Sequence, residues 1–240
     1  MKIALLGAGK MGTILATLAE KDGDEVVLMA GSRQRAELTH EQLQQADVVI
    51  EFTRPESAFE NIVFCLEAGV PVVCGTTGWL HRLDEAIALC AEKGGALFHA
   101  ANFSIGVNLF FCLNKLLAEM MEQQPQYEVR LDETHHIHKL DAPSGTGLAL
   151  ARDILDRLSR KSGWVNSAEA NAQQLPIISH RVGEAPGTHE ITYSSPEDTI
   201  TIRHEAHSRE GFARGALQAA RWLVGKQGYF EMDDMLQLKY

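Results

Sequence analysis

Ile3-Ala4-Leu5-Leu6-Gly7-Ala8-Gly9-Lys10-Met11-Gly12 decides the fold of this chain. An apolar run too short for a helix passes straight into G-x-G-x-x-G, and a helical pattern from Met11 to Lys21 follows. In that setting the first glycine permits the tight turn, the second lets a pyrophosphate approach the backbone, and the third allows close helix packing. Gly7, Ala8, Gly9, Lys10, Met11 and Gly12 are therefore expected to hold a dinucleotide at a helix N-terminus, where unpaired N–H groups and the macrodipole favour an anion.

The same rhythm continues outward. β-rich runs at Glu25–Met29, Asp47–Phe52, Val70–Val73 and Ala96–His99 alternate with helical patterns at about 56–68 and 80–93, which predicts a parallel sheet covered on both faces. Beyond Asn102 the pattern changes. A long apolar helix over 105–122 precedes strand-like runs at Tyr127–Leu131, Leu175–Ser179, His189–Tyr193 and Thr199–Arg203, as in an α+β domain with a mixed or antiparallel sheet. The polar stretch 162–174 reads as a surface excursion, and 212–223 as an amphipathic helix of small residues that returns to the first domain. The expected fold class is α/β, with a Rossmann-type dinucleotide-binding domain of residues 1–103 and 211–240. Residues 104–210 would form an α+β substrate-binding domain, joined to the first by two crossings that suit hinge closure.

Size and charge narrow the function classes. The 240 residues, 45% hydrophobic and 22% charged, suit one large or two modest globular domains. A net charge of -10 argues against nucleic acid as a partner. It leaves room for a small anionic ligand, because salt screens the distant field beyond about 8 to 10 Å while local cations and helix N-termini act at contact. No apolar run reaches the roughly 20 residues of a membrane span and no cleavable leader pattern is seen, so the cytoplasm is the expected location, with no membrane partner. Cys65, Cys74, Cys90 and Cys112 lie far apart in apolar surroundings and read as reduced core residues.

The dinucleotide fingerprint calls for Asp or Glu about 20 residues on, to hold the adenosine ribose hydroxyls. Met29-Ala30-Gly31-Ser32-Arg33 offers neither, whereas Ser32 and Arg33 suit a 2′-phosphate, so NADPH is expected to serve at least as well as NADH. Gly75-Thr76-Thr77-Gly78 and Ala100-Ala101-Asn102-Phe103-Ser104 each follow a strand at the carboxyl edge of the sheet, and are candidates to line the nicotinamide ribose and ring. Glu51-Phe52-Thr53-Arg54-Pro55 leaves a strand at the same edge and reads as structural or peripheral.

Glu133-Thr134-His135-His136-Ile137-His138-Lys139-Leu140-Asp141-Ala142-Pro143-Ser144-Gly145-Thr146 concentrates proton donors, a cation and a helix start. Pro143 ends the extended segment, and Ser144, Gly145 and Thr146 open an apolar helical run, so N–H groups and hydroxyls face a point suited to a carboxylate or phosphate. Asp141 reads as a brace for this turn. His135, His136 and His138 are not expected to bind metal: adjacent histidines of an extended segment point apart, and neither a helical His-x-x-x-His nor a cysteine partner accompanies them.

With these motifs in view, the chain resembles the 4-hydroxy-tetrahydrodipicolinate reductases, also called dihydrodipicolinate reductases, of the diaminopimelate and lysine pathway. The likeness covers essentially the whole chain. It is carried by Glu51 to Pro55, Gly75 to Gly78, Asn102-Phe103-Ser104-Ile105-Gly106-Val107-Asn108 and above all His135 to Thr146. It implies reduction of 4-hydroxy-tetrahydrodipicolinate to tetrahydrodipicolinate with loss of water, using NADPH or NADH. It further implies that His135 is the acid/base residue and Lys139 the proton donor, that His136 with Gly145 and Thr146 holds the substrate, and that Gly7 to Gly12, Gly75 to Thr77 and Ala100 to Phe103 hold the cofactor. A homotetramer assembled through sheets of the second domain is implied as well. The chemistry is coherent, since hydride arriving at C4 of a conjugated cyclic imine leaves electron density at the ring nitrogen that a nearby His or Lys can protonate.

The chain departs from the family pattern in a glycine loop one residue shorter than the commoner form, in Lys10-Met11 for Arg-Met, in an abbreviated connection after the second strand, and in Ala100-Ala101 for Ala-Pro. None removes a catalytic group. A catalytically silent dinucleotide sensor on the same fold would have no use for His135 and Lys139, and a related two-domain aldehyde or amino-acid dehydrogenase would lack a reason for the arrangement from Lys139 to Thr146.

Overall fold

The computed structural model describes residues 1–208 and 210–238, which fall into two compact units: residues 1–105 with 210–237, and residues 106–208 with 238. In the first unit, β1 (Lys2–Leu6), β2 (Glu25–Ala30), β3 (Val48–Glu51), β4 (Val72–Cys74), β5 (Ala96–His99) and β11 (Gly228–Phe230) form one parallel sheet in the order β11-β5-β4-β3-β1-β2. The chain leaves β1 toward β2 on one side, and β3 then pairs with β1 on the other. That reversal opens a crevice at the carboxyl ends of β1 and β3, the place where open α/β sheets bind ligands.

Why these strands read as unbroken apolar runs follows from the packing. Ile3 and Leu5 lie in a core with Leu15 and Leu18 of α1 (Lys10–Lys21) and with Ala213, Ala216 and Leu217 of α8 (Glu210–Leu223). Ala4 and Leu6 point the other way, into a core with Phe59, Ile62 and Leu66 of α4 (Pro55–Glu67) and Ala86 and Cys90 of α5 (Leu83–Lys93). Alternate side chains are thus buried on opposite faces, each large one stabilising the fold by about 1.5–3 kcal/mol. The small residues of α8 have a steric cause: a Cβ on Gly215 would lie 1.8 Å from the Phe103 carbonyl oxygen. Two short helices, α2 (Ser32–Arg35) and α3 (His40–Leu43), link β2 to β3, and α9 (Met232–Leu236) ends the unit; β11 and α9 carried no recognisable signal in so few residues.

In the second unit, α6 (Ile105–Glu122, which starts at the unit boundary) and α7 (Gly145–Leu155) cover one face of a five-stranded sheet. Its strands are β6 (Glu128–His135), β7 (Gly163–Val165), β8 (Gln174–Arg181), β9 (Thr188–Ser194) and β10 (Thr199–Glu205), in the order β10-β9-β6-β8-β7. β6 runs parallel to β8 and antiparallel to β9, and β8 runs parallel to β7, so the sheet is mixed. The 162–174 stretch is less of an excursion than its polarity suggests, because Trp164 pairs with Leu175 in an edge strand of three residues. More consequentially, β6 extends four residues past the expected Leu131, to His135. The alternation that buries Val129 and Leu131 continues and buries Glu133 and His135, polar residues at core positions. Among the described residues no helix is long and apolar enough to cross a membrane.

Candidate active site

The crevice of the first unit is a cleft of about 390 Å³ bounded by the loops after β1, β2 and β3. Glycine is required at its base. Gly7 has φ +116°, and a Cβ there would meet the Phe52 carbonyl oxygen at 2.0 Å; one on Gly12 would meet the Gly7 oxygen at 1.9 Å. Gly9 differs, since nothing lies within 4 Å of its Cβ direction, so the open space at the start of α1 is left for a ligand rather than filled by protein. Ala8 lines the cleft beside it, Lys10 is exposed, and Met11 packs against the core.

At the far end the structure brings Ser32 into the cleft but leaves Arg33 exposed and outside it; Arg35, two residues on, lines the cleft instead. One turn of helix from Ser32 explains the exchange, because it carries Arg35 inward. The Arg35 guanidinium lies 3.9 Å over the Phe64 ring, and its Nε donates to Asn61 Oδ1 at 2.7 Å. Among the described residues no carboxylate lines this cleft.

Phe52, Thr53 and Arg54 line the cleft too, so the segment read as peripheral belongs to it. Glu51 stands behind them, fully buried, accepting hydrogen bonds from the Thr53 hydroxyl, from the Thr53 N–H at 3.1 Å, from Asn61 Nδ2 at 3.3 Å and from Cys74 Sγ at 3.1 Å. The Thr53 N–H also donates to Thr76 Oγ1 at 2.8 Å, which ties the β3 loop to the β4 loop. Gly75 is needed where Phe52 crosses, for a Cβ would meet its ring at 2.2 Å; Thr76 is buried and Thr77 exposed. After β5, Ala100 is buried, Ala101 exposed, and Asn102 accepts from the Ser104 N–H at 2.9 Å. The Phe103 ring is a core group between Phe98 and Phe52, at 5.8 and 5.9 Å. The loops after β4 and β5 are not among the residues that line the cleft.

In the second unit, the end of β6 and the start of α7 meet. Ser144 caps α7, its Oγ accepting from the Gly147 N–H at 3.0 Å, and its hydroxyl donates to Glu133 while its N–H lies 3.0 Å from both Glu133 oxygens. Ser144 is therefore buried among protein groups, and the donors left facing outward in the first turn are the N–H groups of Gly145 and Thr146. Gly145 has nothing within 4 Å of its Cβ direction.

His135 is buried, and His136 forms a turn whose carbonyl accepts from the Lys139 N–H at 3.1 Å. Lys139 Nζ pairs with Asp141 Oδ1 at 2.8 Å, so Asp141 braces the loop. His138 is exposed and pairs with Glu184 at 3.3 Å. Arg181 on β8 fixes the same loop: its Nη2 donates to the Asp141 carbonyl at 2.5 Å and lies 3.5 Å from Glu133 Oε1, and its Nε donates to the Lys139 carbonyl at 3.3 Å. Burial pushes the His135 imidazole below its usual range; Glu133 pulls the other way, and Lys139 and Arg181 push it further down. Burial pushes the Glu133 carboxyl up, but hydrogen bonds from Ser144 outweigh it and leave Glu133 ionised well below neutrality.

Glu133, His135 and His189 offer ligand atoms all within 4.8 Å of one another, a grouping absent from the sequence reading. Arg181 and His189 were missed with it, for they lie far along the chain and only the pairing of β6 with β8 and β9 brings them in. The signal available was the alternation of β6 itself, which implied buried partners for Glu133.

Comparison with known proteins accords with this geometry. Residues 1–103 match the family described as "Dihydrodipicolinate reductase, N-terminus", and residues 106–236 that described as "Dihydrodipicolinate reductase, C-terminus". The 4-hydroxy-tetrahydrodipicolinate reductase of Christiangramia forsetii is 42% identical over 238 residues, covering 98% of both chains. That of Chromobacterium violaceum is 40% identical over 207 residues, covering 82% of this chain and 76% of its own. A solved dipicolinate-bound dihydrodipicolinate reductase from Paenisporosarcina sp. TG-14 superposes with a TM-score of 0.81 at 25% identity, over 98% of both chains. A probable dehydrogenase from Thermotoga maritima, at TM-score 0.55 and 13% identity over 99% of this chain and 93% of that one, shares the fold alone.

Proposed function

The chain belongs to the dihydrodipicolinate reductase family, and we propose that it reduces 4-hydroxy-tetrahydrodipicolinate to tetrahydrodipicolinate, with loss of water, in diaminopimelate and lysine biosynthesis. The residues of the first unit fit a nicotinamide dinucleotide. Gly7, Ala8, Gly9 and Gly12 leave room for a pyrophosphate at the start of α1, and Thr53, Arg54 and Ser32 offer polar groups along the cleft. Arg35 takes the adenosine 2′-phosphate in this reading, which favours NADPH, since its guanidinium, held by Asn61 and Phe64, meets no carboxylate among the described residues that line the cleft. In the same reading Gly75 to Thr77 and Ala100 to Phe103, at the carboxyl ends of β4 and β5 beyond the residues that line the cleft, hold the nicotinamide end. When bound, the reduced nicotinamide supplies the hydride taken up at C4 of the substrate ring.

One substrate carboxylate sits on the N–H groups of Gly145 and Thr146, with His136 at its side. His135 and Lys139 deliver the proton that the ring nitrogen takes up as hydride arrives, and Asp141 and Arg181 keep the Lys139 loop in place for it. The observation that carries this reading is the convergence of a buried His135, a braced Lys139 and two outward N–H groups in one short stretch. Purified protein given NADPH or NADH and substrate freshly formed from pyruvate and aspartate semialdehyde should consume the reduced nicotinamide. Folded protein that turns over neither would end the reading. In the same proposal the enzyme works in the cytoplasm as a homotetramer joined through the uncovered face of the second unit's sheet, and a monomer mass by light scattering would remove that part.

A further inference from the structure

Ser144 has a hydroxyl with one proton to give and two lone pairs to fill. The proton goes to Glu133, and one lone pair accepts from the Gly147 N–H at 3.0 Å. The other faces His189 Nε2 at 3.2 Å, which is 3.8 Å from Glu133 Oε2. Only an N–H can satisfy it, so His189 carries its proton on Nε2. Burial pushes His189 down to about 4, with His135 adding to the shift, so near neutrality the ring is uncharged and this is its one ring proton. The seat is closely shaped: a Cβ on Gly147 would lie 2.6 Å from Glu133 Oε2, and one on Gly187 3.3 Å from His135 Nε2. The His135 and His189 rings meet edge to face at 5.1 Å.

The charges around His135 are unevenly matched. Its own strand contributes Glu133, the following turn Lys139 and Asp141, β8 Arg181 and β9 the neutral His189. Asp141 is taken by Lys139 at 2.8 Å. That leaves the buried Glu133, whose carboxylate offers an oxygen within 4.8 Å of a His135 ring nitrogen, as the carboxylate that balances an imidazolium at His135 against two opposing cations.

We propose that Glu133 and His189 are positioning residues for the reduction: Glu133 is the counter-charge that keeps the imidazolium of His135 accessible, and His189, through its Nε2–H, holds Ser144 and with it the mouth of α7. The inference rests on His135 being the proton-transfer residue of the proposed reaction. Two paired measurements test it.

In the first, the His135 ring is titrated by NMR in the full chain, assigned by difference from His135→Gln. Glu133→Gln should lower the midpoint, shift the fall of kcat with rising pH to lower pH, and reduce kcat near neutrality by about tenfold, on top of a rise in substrate KM from the Ser144 contacts it loses. In the second, His189→Gln, which keeps an N–H donor near the same point, should stay within about threefold of wild type. His189→Phe, which keeps the ring but not the donor, should raise substrate KM by about tenfold. An unmoved His135 midpoint in Glu133→Gln overturns the counter-charge, and His189→Phe equal to His189→Gln overturns the donor. Should Glu133→Gln not fold, Glu133→Asp takes its place. It keeps the charge but draws it back from the His135 ring and from Ser144, so the midpoint should fall and substrate KM should rise, and an unchanged midpoint overturns the counter-charge. The NMR arm needs no turnover, so an inactive wild type would sink the reductase reading while this test still reports.

Discussion

The two units hold their candidate ligand groups by opposite means. Around Gly7, Gly9 and Gly12 the protein works by leaving atoms out: backbone crosses backbone where no Cβ fits, and the ligand is offered space and N–H groups. Around His135 it works by adding partners, with Glu133, Ser144, Arg181 and His189 engaged with one another before any substrate arrives. A site made of space should fail completely when a methyl group enters it, whereas a site made of side chains should lose rate in steps. The glycine loop gives the harshest trial of that contrast. Gly7→Ala places a methyl against the Phe52 carbonyl at a φ that alanine resists, and should cost more than about 3 kcal/mol, seen as loss of soluble protein or of the cooperative thermal transition. Gly9→Ala meets no protein atom, so it should fold normally and weaken dinucleotide binding alone. If the two variants melted alike, space would not be what these glycines provide.

Side-chain loss in the second unit should act on rate. His135→Gln and Lys139→Ala are each expected to lower kcat by about 10² or more, with the thermal transition near that of wild type, because neither side chain fills the apolar core. Wild-type turnover in both would remove the proton-transfer roles and leave the second unit as a binding surface only.

The same contrast explains what could be read from the chain. A site built on space leaves its mark at fixed local spacing, so Gly7-x-Gly9-x-x-Gly12 after an apolar run announced both the turn and the parallel sheet around it. His135 to Thr146 was visible for the same reason, as residues close together in sequence. Arg181 and His189 were not, because they reach the site only through strand register, Arg181 opposite His135 on β8 and His189 opposite Glu133 on β9. The polar alternation of β6 past Leu131 looked like the end of a strand, when it was the continuation of one into buried polar positions that later strands satisfy. β7 and β11, at three residues each, are too short for any period to appear, and pairing with β8 and β5 decides them.

Arg33 and Arg35 show how finely the local reading can miss, and they offer the mildest test of the comparison. Both stand in the four-residue helix after β2, and from spacing alone Arg33, at the end of the expected run, was the natural partner for a 2′-phosphate. One helical turn separates the outcomes, leaving Arg33 in solvent and laying Arg35 across Phe64 with its Nε on Asn61. Asn61 in turn donates to the buried Glu51, so Arg35 is anchored through two further side chains, and this end of the dinucleotide cleft is built like the histidine site rather than like the glycine loop. Arg35→Ala should therefore raise KM for NADPH by roughly tenfold, the worth of one charge-assisted contact, and leave KM for NADH nearly unchanged. Arg33→Ala should move neither by more than about twofold. Asn61→Ala should reproduce part of the Arg35 effect without removing a charge, since the guanidinium would keep its ring contact but lose its hydrogen-bonded orientation. Equal responses to NADPH and NADH in Arg35→Ala would mean that this arginine packs against the adenosine without reading the phosphate, and the first unit would then recognise its ligand by space throughout.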